Sequence, residues 1–442
     1  MITKLRNPAL AASLLALGAC GIFKSHPKGT PTVGNRVPIL VSENAVTADK
    51  GIADVTVAVP APEANDGWTQ PGGNAAKSMG HPALGASPAA IWSVRIDGGS
   101  NRERLASAPV IADRKLFVID VAAVVHAYNA DTGAPLWSAA LNDDKRNAHA
   151  RFGGGVSYDD GRVFATDGLG DVVALGAADG KEVWRAKPGG PLRGAPTVAN
   201  GNVYVLSQDN QIFALGEGDG KVEWNQAATL ESQGVFGVAA PAASAGSVVA
   251  GFSSGELNAY RYENGRSLWQ DALSRTSIST SVSSLADIDA DPVIDNGRVY
   301  AVGQGGRMVA LELATGQRVW EQNVAGISTP WIAGEWLFVV TDDARLLCLA
   351  RSNGKARWIA QLPRFTNAKK NKGDQVTWHG PVLAGGRLVL TNSQGAVAYA
   401  SITDGSITAT SREHKDGFSL PPVVANATLY TLDDKGRITA WR

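Results

Sequence analysis

The sequence predicts an all-β protein: an eight-bladed β-propeller of four-stranded antiparallel blades, its last blade closed by an N-terminal strand. Three observations predict it. A turn ending in Gly is followed, after three residues, by Trp: Thr132-Gly133…Trp137, Asp179-Gly180…Trp184, Asp219-Gly220…Trp224, Asn264-Gly265…Trp269, Thr315-Gly316…Trp320 and Asn353-Gly354…Trp358. The Trp-to-Trp steps are 47, 40, 45, 51 and 38 residues, each near the length of one blade of short strands and turns. The last repeat, Pro421 to Trp441, has three strands and no fourth, whereas Ala90–Arg95 is a fourth strand with no first three.

Residues 195–224 show the order of elements within one repeat. Ala195-Pro196-Thr197-Val198 is a short strand ended by the tight-turn signal Asn200-Gly201. Val203-Tyr204-Val205-Leu206 is β-branched and aromatic, which favours a second strand. Asp209-Asn210 turns into a third, Gln211 to Leu215, and Asp219-Gly220 turns into a fourth that carries Trp224. Small residues belong on the crowded inner strands, and a Trp on the outer strand fills the wedge between blades. The same plan recurs at 108–137, 155–184, 240–269, 291–320, 329–358 and 380–409. Pro109, Pro196, Pro241, Pro292, Pro330 and Pro381 stand in the first strands, where Pro removes no essential ladder donor. In the seventh repeat Asp404-Gly405 is followed by Ala409 in place of Trp. An open three-stranded last blade would expose an edge, and Trp92 lies in phase with the repeat, so the 90–95 strand is expected to close the ring. Residues 88–442 are then one domain, because blades do not fold independently.

The N-terminus has a different character. Lys4 and Arg6 precede a short apolar run, Pro8 to Gly18, ending in Leu17-Gly18-Ala19-Cys20. A run this short is a signal peptide rather than a span. It resembles a bacterial lipobox, in which the Cys is lipidated and becomes the first mature residue. Residues 1–19 are therefore expected to be a lipoprotein signal peptide, with Cys20 the lipidated residue. Gly21 after the Cys, rather than Asp, points to the outer membrane, on the periplasmic side. Residues 20–87 show no blade pattern and hold prolines, glycines and scattered charges, as a flexible tether would. Two islands interrupt it: the apolar Arg36-Val37-Pro38-Ile39-Leu40-Val41, suited to a sheet edge, and Trp68-Thr69-Gln70-Pro71-Gly72-Gly73, suited to docking on the ring.

Composition narrows the function. Lys plus Arg and Asp plus Glu both number 41, so the net charge is zero, and no basic stripe offers a nucleic-acid footprint. No apolar stretch of about 20 residues can span a membrane. The six histidines show no metal-ligand spacing. Gly153-Gly154-Gly155 precedes a strand rather than a helix, so it is no phosphate loop. Asp159-Asp160 and Asp342-Asp343 fall on turns, and Cys348 reads as a small buried hydrophobe.

The Ala-x-Asp-x-x-Thr/Asp-Gly-x-x-x-Trp repeat resembles that of quinoprotein alcohol dehydrogenases. Those enzymes hold pyrroloquinoline quinone on the propeller axis with a calcium ion, and many have a disulfide between adjacent cysteines. This chain has no adjacent cysteines and little beyond bare blades, so the repeat speaks for fold and function must come from sites. Lipobox, tether and eight bare blades together resemble the BamB family of lipoprotein propellers of the β-barrel assembly machinery. That resemblance implies a non-catalytic periplasmic scaffold without cofactor or metal, which binds the POTRA domains of the barrel-assembly subunit. Nascent outer-membrane strands are a further implied partner, at the blade edges. Two alternatives stand beside it: a quinone-dependent periplasmic dehydrogenase, and an envelope propeller that binds sugar, peptidoglycan or another protein.

The family motif Leu-x-Asp-Val/Ile-Asp-x-x-Pro-Val matches Leu285-Ala286-Asp287-Ile288-Asp289-Ala290-Asp291-Pro292-Val293. The resemblance makes Asp287 and Asp289 partner contacts; capping of their own loop is the structural alternative. A second family contact is Leu-Arg-Gly followed by Ala-Pro, sought in the loop before the 240–269 repeat. There the chain reads Val235-Phe236-Gly237-Val238-Ala239-Ala240-Pro241, with Phe236 where the family has Arg. Val235 and Phe236 are thus expected to offer an apolar contact beside the two acids.

Overall fold

The chain was examined as a computed structural model, which describes residues 46–142, 146–230, 238–273, 287–412 and 416–442. Seven four-stranded antiparallel sheets span 110–140, 156–186, 192–227, 242–272, 293–322, 331–361 and 378–411, here blades one to seven. Blade eight joins three strands from 423–441 to Ala90–Arg95. Trp92 pairs with Ala440, Val94 with Ile438 and Arg95 with Arg437, antiparallel. This is the eight-bladed propeller the repeats predict, closed as its two incomplete segments require.

The core lies between blades rather than within them. Val110, Phe117 and Val125 of blade one pack with Val156, Val163 and Val173 of blade two. All six are essentially inaccessible, and each such side chain contributes about 1.5–3 kcal/mol of hydrophobic stabilisation. A blade therefore needs neighbours, which is why the chain repeats until the ring closes.

The Gly-x-x-x-Trp signature is the device that joins one blade to the next. Each Gly ends the turn between a blade's third and fourth strands, with φ of +68° to +74°, a region that favours glycine. The ring of the preceding blade's Trp lies over it: Trp92 over Gly133, Trp137 over Gly180, Trp184 over Gly220, and so on to Trp358 over Gly405. A methyl group at any of the seven would sit 2.4–2.8 Å from the ring. The indole N–H donates to a backbone carbonyl in the same neighbouring turn at 2.7–3.2 Å, for example Trp224 to Tyr262 and Trp269 to Leu313. The Asp, Asn or Thr before the Gly accepts from the N–H two positions on, as Asp179 does from Lys181 and Asn264 from Arg266. Turn residue, Gly and Trp are thus parts of one joint.

Ala409 at the seventh Trp position follows from the same geometry. Blade eight has no turn between third and fourth strands, because those strands come from opposite ends of the sequence. In place of a turn, Ala89 and Arg442 exchange backbone hydrogen bonds, both 2.9 Å. The junction of blades seven and eight therefore has no Gly for a Trp to cover.

The expected tether from 20 to 87 is packed chain from residue 46 onward. Residues 63–85 run once around the ring as a hoop and touch every blade. Asn65 Nδ2 donates to Val424 O of blade eight at 2.7 Å. Trp68 exchanges backbone bonds with Ile111 of blade one, and Thr69 O accepts from Tyr158 of blade two. The Gln70 amide pairs with both backbone groups of Val198 in blade three, at 2.8 and 3.0 Å. Ala75 O and Ala76 O accept from Ala243 of blade four and Ile294 of blade five. Gly80 O accepts from the Trp331 indole of blade six, and Pro82 O from Gly385 of blade seven. Trp68, which stacks on Trp331 with centroids 5.8 Å apart, is 3% exposed. The 68–73 island is thus the inner face of this hoop, while the 36–41 island and Cys20 lie outside the described residues.

Candidate functional site

Strand direction gives the ring two unlike faces. Every first strand runs from an interblade loop to the turn before the second strand, so one face carries the first–second and third–fourth turns. The hoop contacts first strands near those turns and lies on that face. The opposite face carries the second–third turns and the interblade loops, including the 287–292 segment. Its turns are pinned by short polar side chains: Asp120 accepts from Ala122 and Val124, and Asn392 from Gln394 and Ala396, at 2.9–3.0 Å.

Along the axis lies a cavity of about 400 Å³. Trp68, Pro71 and Lys77 of the hoop floor it, first-strand residues such as Ala195 and Pro381 wall it, and Asp289, Arg104 and Gln304 belong to its lining. At the floor Lys77, 2% exposed, donates to Thr197 Oγ1 at 3.1 Å. Burial draws its ammonium down to about 8, with the charge of Asp291 acting in the opposite sense. Burial alone lowers the wall residue His379 to about 4.

On the interblade-loop side sits an ionic cluster. Arg193, on the first strand of blade three, is 2% exposed. Its Nη2 lies 3.0 Å from Asp287 Oδ1 and 3.6 Å from Asp289 Oδ1. Its Nη1 donates to Ser253 Oγ at 3.3 Å, and Ser253 donates to Asn210 Oδ1 at 2.6 Å. Asn210 in turn donates to Thr229 O at 2.7 Å, just before Leu230, whose side chain is 72% exposed. Blades three, four and five are tied together by this chain of contacts. Asp289 is raised to about 6, first by burial, then by the charge of Asp287, with Arg193 opposing. Asp342, in a neighbouring turn, is raised to about 6 by burial and by Asp343. One guanidinium thus lies between two carboxylates, nearer Asp287 than Asp289, and the charge of Arg104 also acts on Asp289.

The sequence-predicted residues separate accordingly. Asp287 is 1% exposed and its Oδ1 faces Arg193, two blades away. Asp289 lines the axial cavity, with its side chain 10% exposed. Val235 and Phe236 lie outside the described residues; Val238, which follows them, lines the same cavity as Asp289. Arg193 and Leu230 are the residues sequence reasoning missed. For Arg193 the signal was present: Leu192-Arg193-Gly194-Ala195-Pro196 is an intact Leu-Arg-Gly followed by Ala-Pro. This match to the motif lies on the first strand of blade three, rather than in the loop that carries Phe236.

The turn-side end of the axis is filled by Trp68 to Lys77, and among the described residues no group of three His, Cys, Asp or Glu is arranged to hold a metal ion. Cys348 is buried, and its thiol is pushed up by that burial.

Comparison with known proteins separates fold from family. The family model described as outer membrane protein assembly factor BamB matches residues 83–151 and 122–360. The outer membrane protein assembly factor BamB of Salmonella typhimurium is 30% identical over 359 residues, 80% of this chain and 88% of that protein. Its Escherichia coli counterpart is 29% identical over 357 residues, with the same two shares. Among solved structures, BamB from Moraxella catarrhalis superposes with a TM-score of 0.67 at 19% identity, over 80% of this chain and 99% of that one. Quinohemoprotein alcohol dehydrogenase from Comamonas testosteroni gives 0.66 at 14% identity, over 85% and 80%. Shape alone does not divide the two kinds of neighbour; the sequence matches fall to the assembly factors.

Proposed function

This chain belongs to the BamB family of outer membrane protein assembly factors, and from that membership we propose that it is a non-catalytic scaffold lipoprotein of the outer-membrane assembly complex. It is anchored through Cys20 to the periplasmic side of the outer membrane and binds the POTRA domains of the barrel-assembly subunit with its interblade-loop face. The observation that carries this reading is the Arg193–Asp287–Asp289 cluster on that face. Arg193 and Asp287 are positioning residues, since a buried ion pair between two blades fixes the loop. Asp289 keeps an incompletely answered negative charge beside apolar cavity walls, and a basic residue of the partner would answer it. Leu230, with Val235 and Phe236, supplies apolar contact, a composition suited to a hot spot ringed by charge. The dehydrogenase alternative finds no support in the donor groups along the axis.

Co-purification with the barrel-assembly subunit from detergent-solubilised envelopes tests the reading. Asp289→Ala should weaken binding more than tenfold, about 1.4 kcal/mol, at a nearly unchanged melting temperature. Undiminished co-purification would reject the docking face. Cys20→Ser should abolish labelling with palmitate, and continued labelling would reject the anchor.

A further inference from the structure

Seven of the eight junctions of the ring carry a Trp laid over a Gly of the next blade. The junction of blades seven and eight has neither: Ala409 stands at the Trp position and the turn that would hold the Gly does not exist. Blade eight is also the blade assembled from two distant segments. The one junction without the joint is therefore the one whose far side is a composite sheet.

The two ends of the hoop meet at that junction, side by side and parallel. Its entry and exit are bonded to each other: Glu63 N donates to His81 O at 2.8 Å, and Ala83 N donates to Glu63 O at 2.7 Å. The entry holds blade eight, through Asn65 to Val424 O at 2.7 Å and Asn426 N to Asn65 O at 2.8 Å. The exit holds blade seven, through Gly385 N to Pro82 O at 3.0 Å and Gly386 N to His81 Nε2 at 2.8 Å. Arg387 of blade seven also donates to Gly85 O. Blade seven, exit, entry and blade eight thus form one hydrogen-bonded series across the junction. A few residues further along, the hoop continues into the 90–95 strand that completes blade eight.

We propose that the 63–85 hoop is the lock of the ring at the blade seven–eight junction, in the place that Trp and Gly take at every other junction. Its passage around blades one to six anchors it, and the Glu63–His81–Ala83 clasp is the part that holds the ring shut. Opening the clasp frees blade seven from blade eight and loosens the strand at 90–95 without disturbing joints elsewhere.

Hydrogen exchange of the full chain tests this, with the strands at 387–392 and 428–432 as the junction and 202–207 in blade three as the reference. Glu63→Pro with Asn65→Ala removes the Glu63 N–H and the side-chain bond to blade eight, yet changes no core residue. Exchange at both junction strands should rise at least tenfold, while the reference stays within twofold. Asn65→Ala alone, which leaves every backbone contact, should raise exchange at the same strands by a smaller factor. Gln70→Ala, which removes the side-chain bonds to Val198 of blade three, should speed exchange at 197–199 and leave the junction unchanged. An even rise around the ring would reduce the hoop to a general cover and overturn the proposal, as would an unchanged junction in both clasp variants.

Discussion

On the turn side of the ring, contacts are close and largely backbone: carbonyls of the hoop accept from first strands, and Trp rings lie on glycines that have no room for a methyl group. On the interblade-loop side, one guanidinium and two carboxylates span three blades, and a nearby exposed Leu has no cover. Both faces join blades, but one does so chiefly through backbone bonds and the other through charged side chains. A face held by backbone pairing is finished by folding. A face held by an unequal set of charges is still able to gain by binding.

Changes on each side should therefore fail differently. Arg193→Ala should have the largest effect, because it leaves the Asp287 carboxylate buried without its cation; breaking such a pair costs about 3–5 kcal/mol. Urea unfolding measures it, and a loss below about 1 kcal/mol would mean that the cluster does not hold the blades. Gly265→Ala comes next. Its φ of +68° and the Trp224 ring 2.6 Å from the added methyl predict a loss of about 1–3 kcal/mol. Combined with Trp224→Ala the loss should be less than additive, since both act on one joint. Gln70→Ala leaves two backbone groups of Val198 unpaired on the turn side, worth about 1–3 kcal/mol. Co-purification with the partner should not change, and a binding defect in this variant would erase the division between the faces.

The smallest effect is a slope. Burial raises Asp289 to about 6 from the ordinary aspartate value of 3.8, so the native protein holds the extra proton between those limits. Stability should fall as pH rises from about 4 to about 6 and then level off. Asp289→Asn should remove that part of the slope. Partner binding by the unaltered protein should strengthen over the same window, as the carboxylate becomes charged. A binding curve flat through pH 6 would deny Asp289 its role.

The ring was legible in the sequence because its joints are periodic. The turn residue and Gly recur in blades one to seven, and the missing Trp at Ala409 of the seventh marks where two chain segments meet. The hoop was not legible, apart from Trp68 to Gly73, because it borrows no period. It pairs through backbone carbonyls, and Gln70 imitates a strand with a side chain, which leaves no repeating trace. The cluster was half legible. The Asp287–Asp289 segment stood out, but spacing does not say which carboxylate turns inward. Arg193 was overlooked because an Arg within a strand reads as a surface residue, whereas here it is buried by two aspartates whose distance in sequence conceals the contact.

The pairing of residues 90–95 with 437–441 has a temporal side. The first strand of the propeller to be synthesised finds its partner only when the last has been made, across the whole length of seven blades. Contacts so remote in sequence form slowly. Until then the early strand waits with an unpaired edge, and so does the final sheet. A polypeptide interrupted anywhere along the way cannot close its circle, so a shut ring requires that the 437–441 strand has been made. The same open edges would mark an unfinished chain for quality-control proteases.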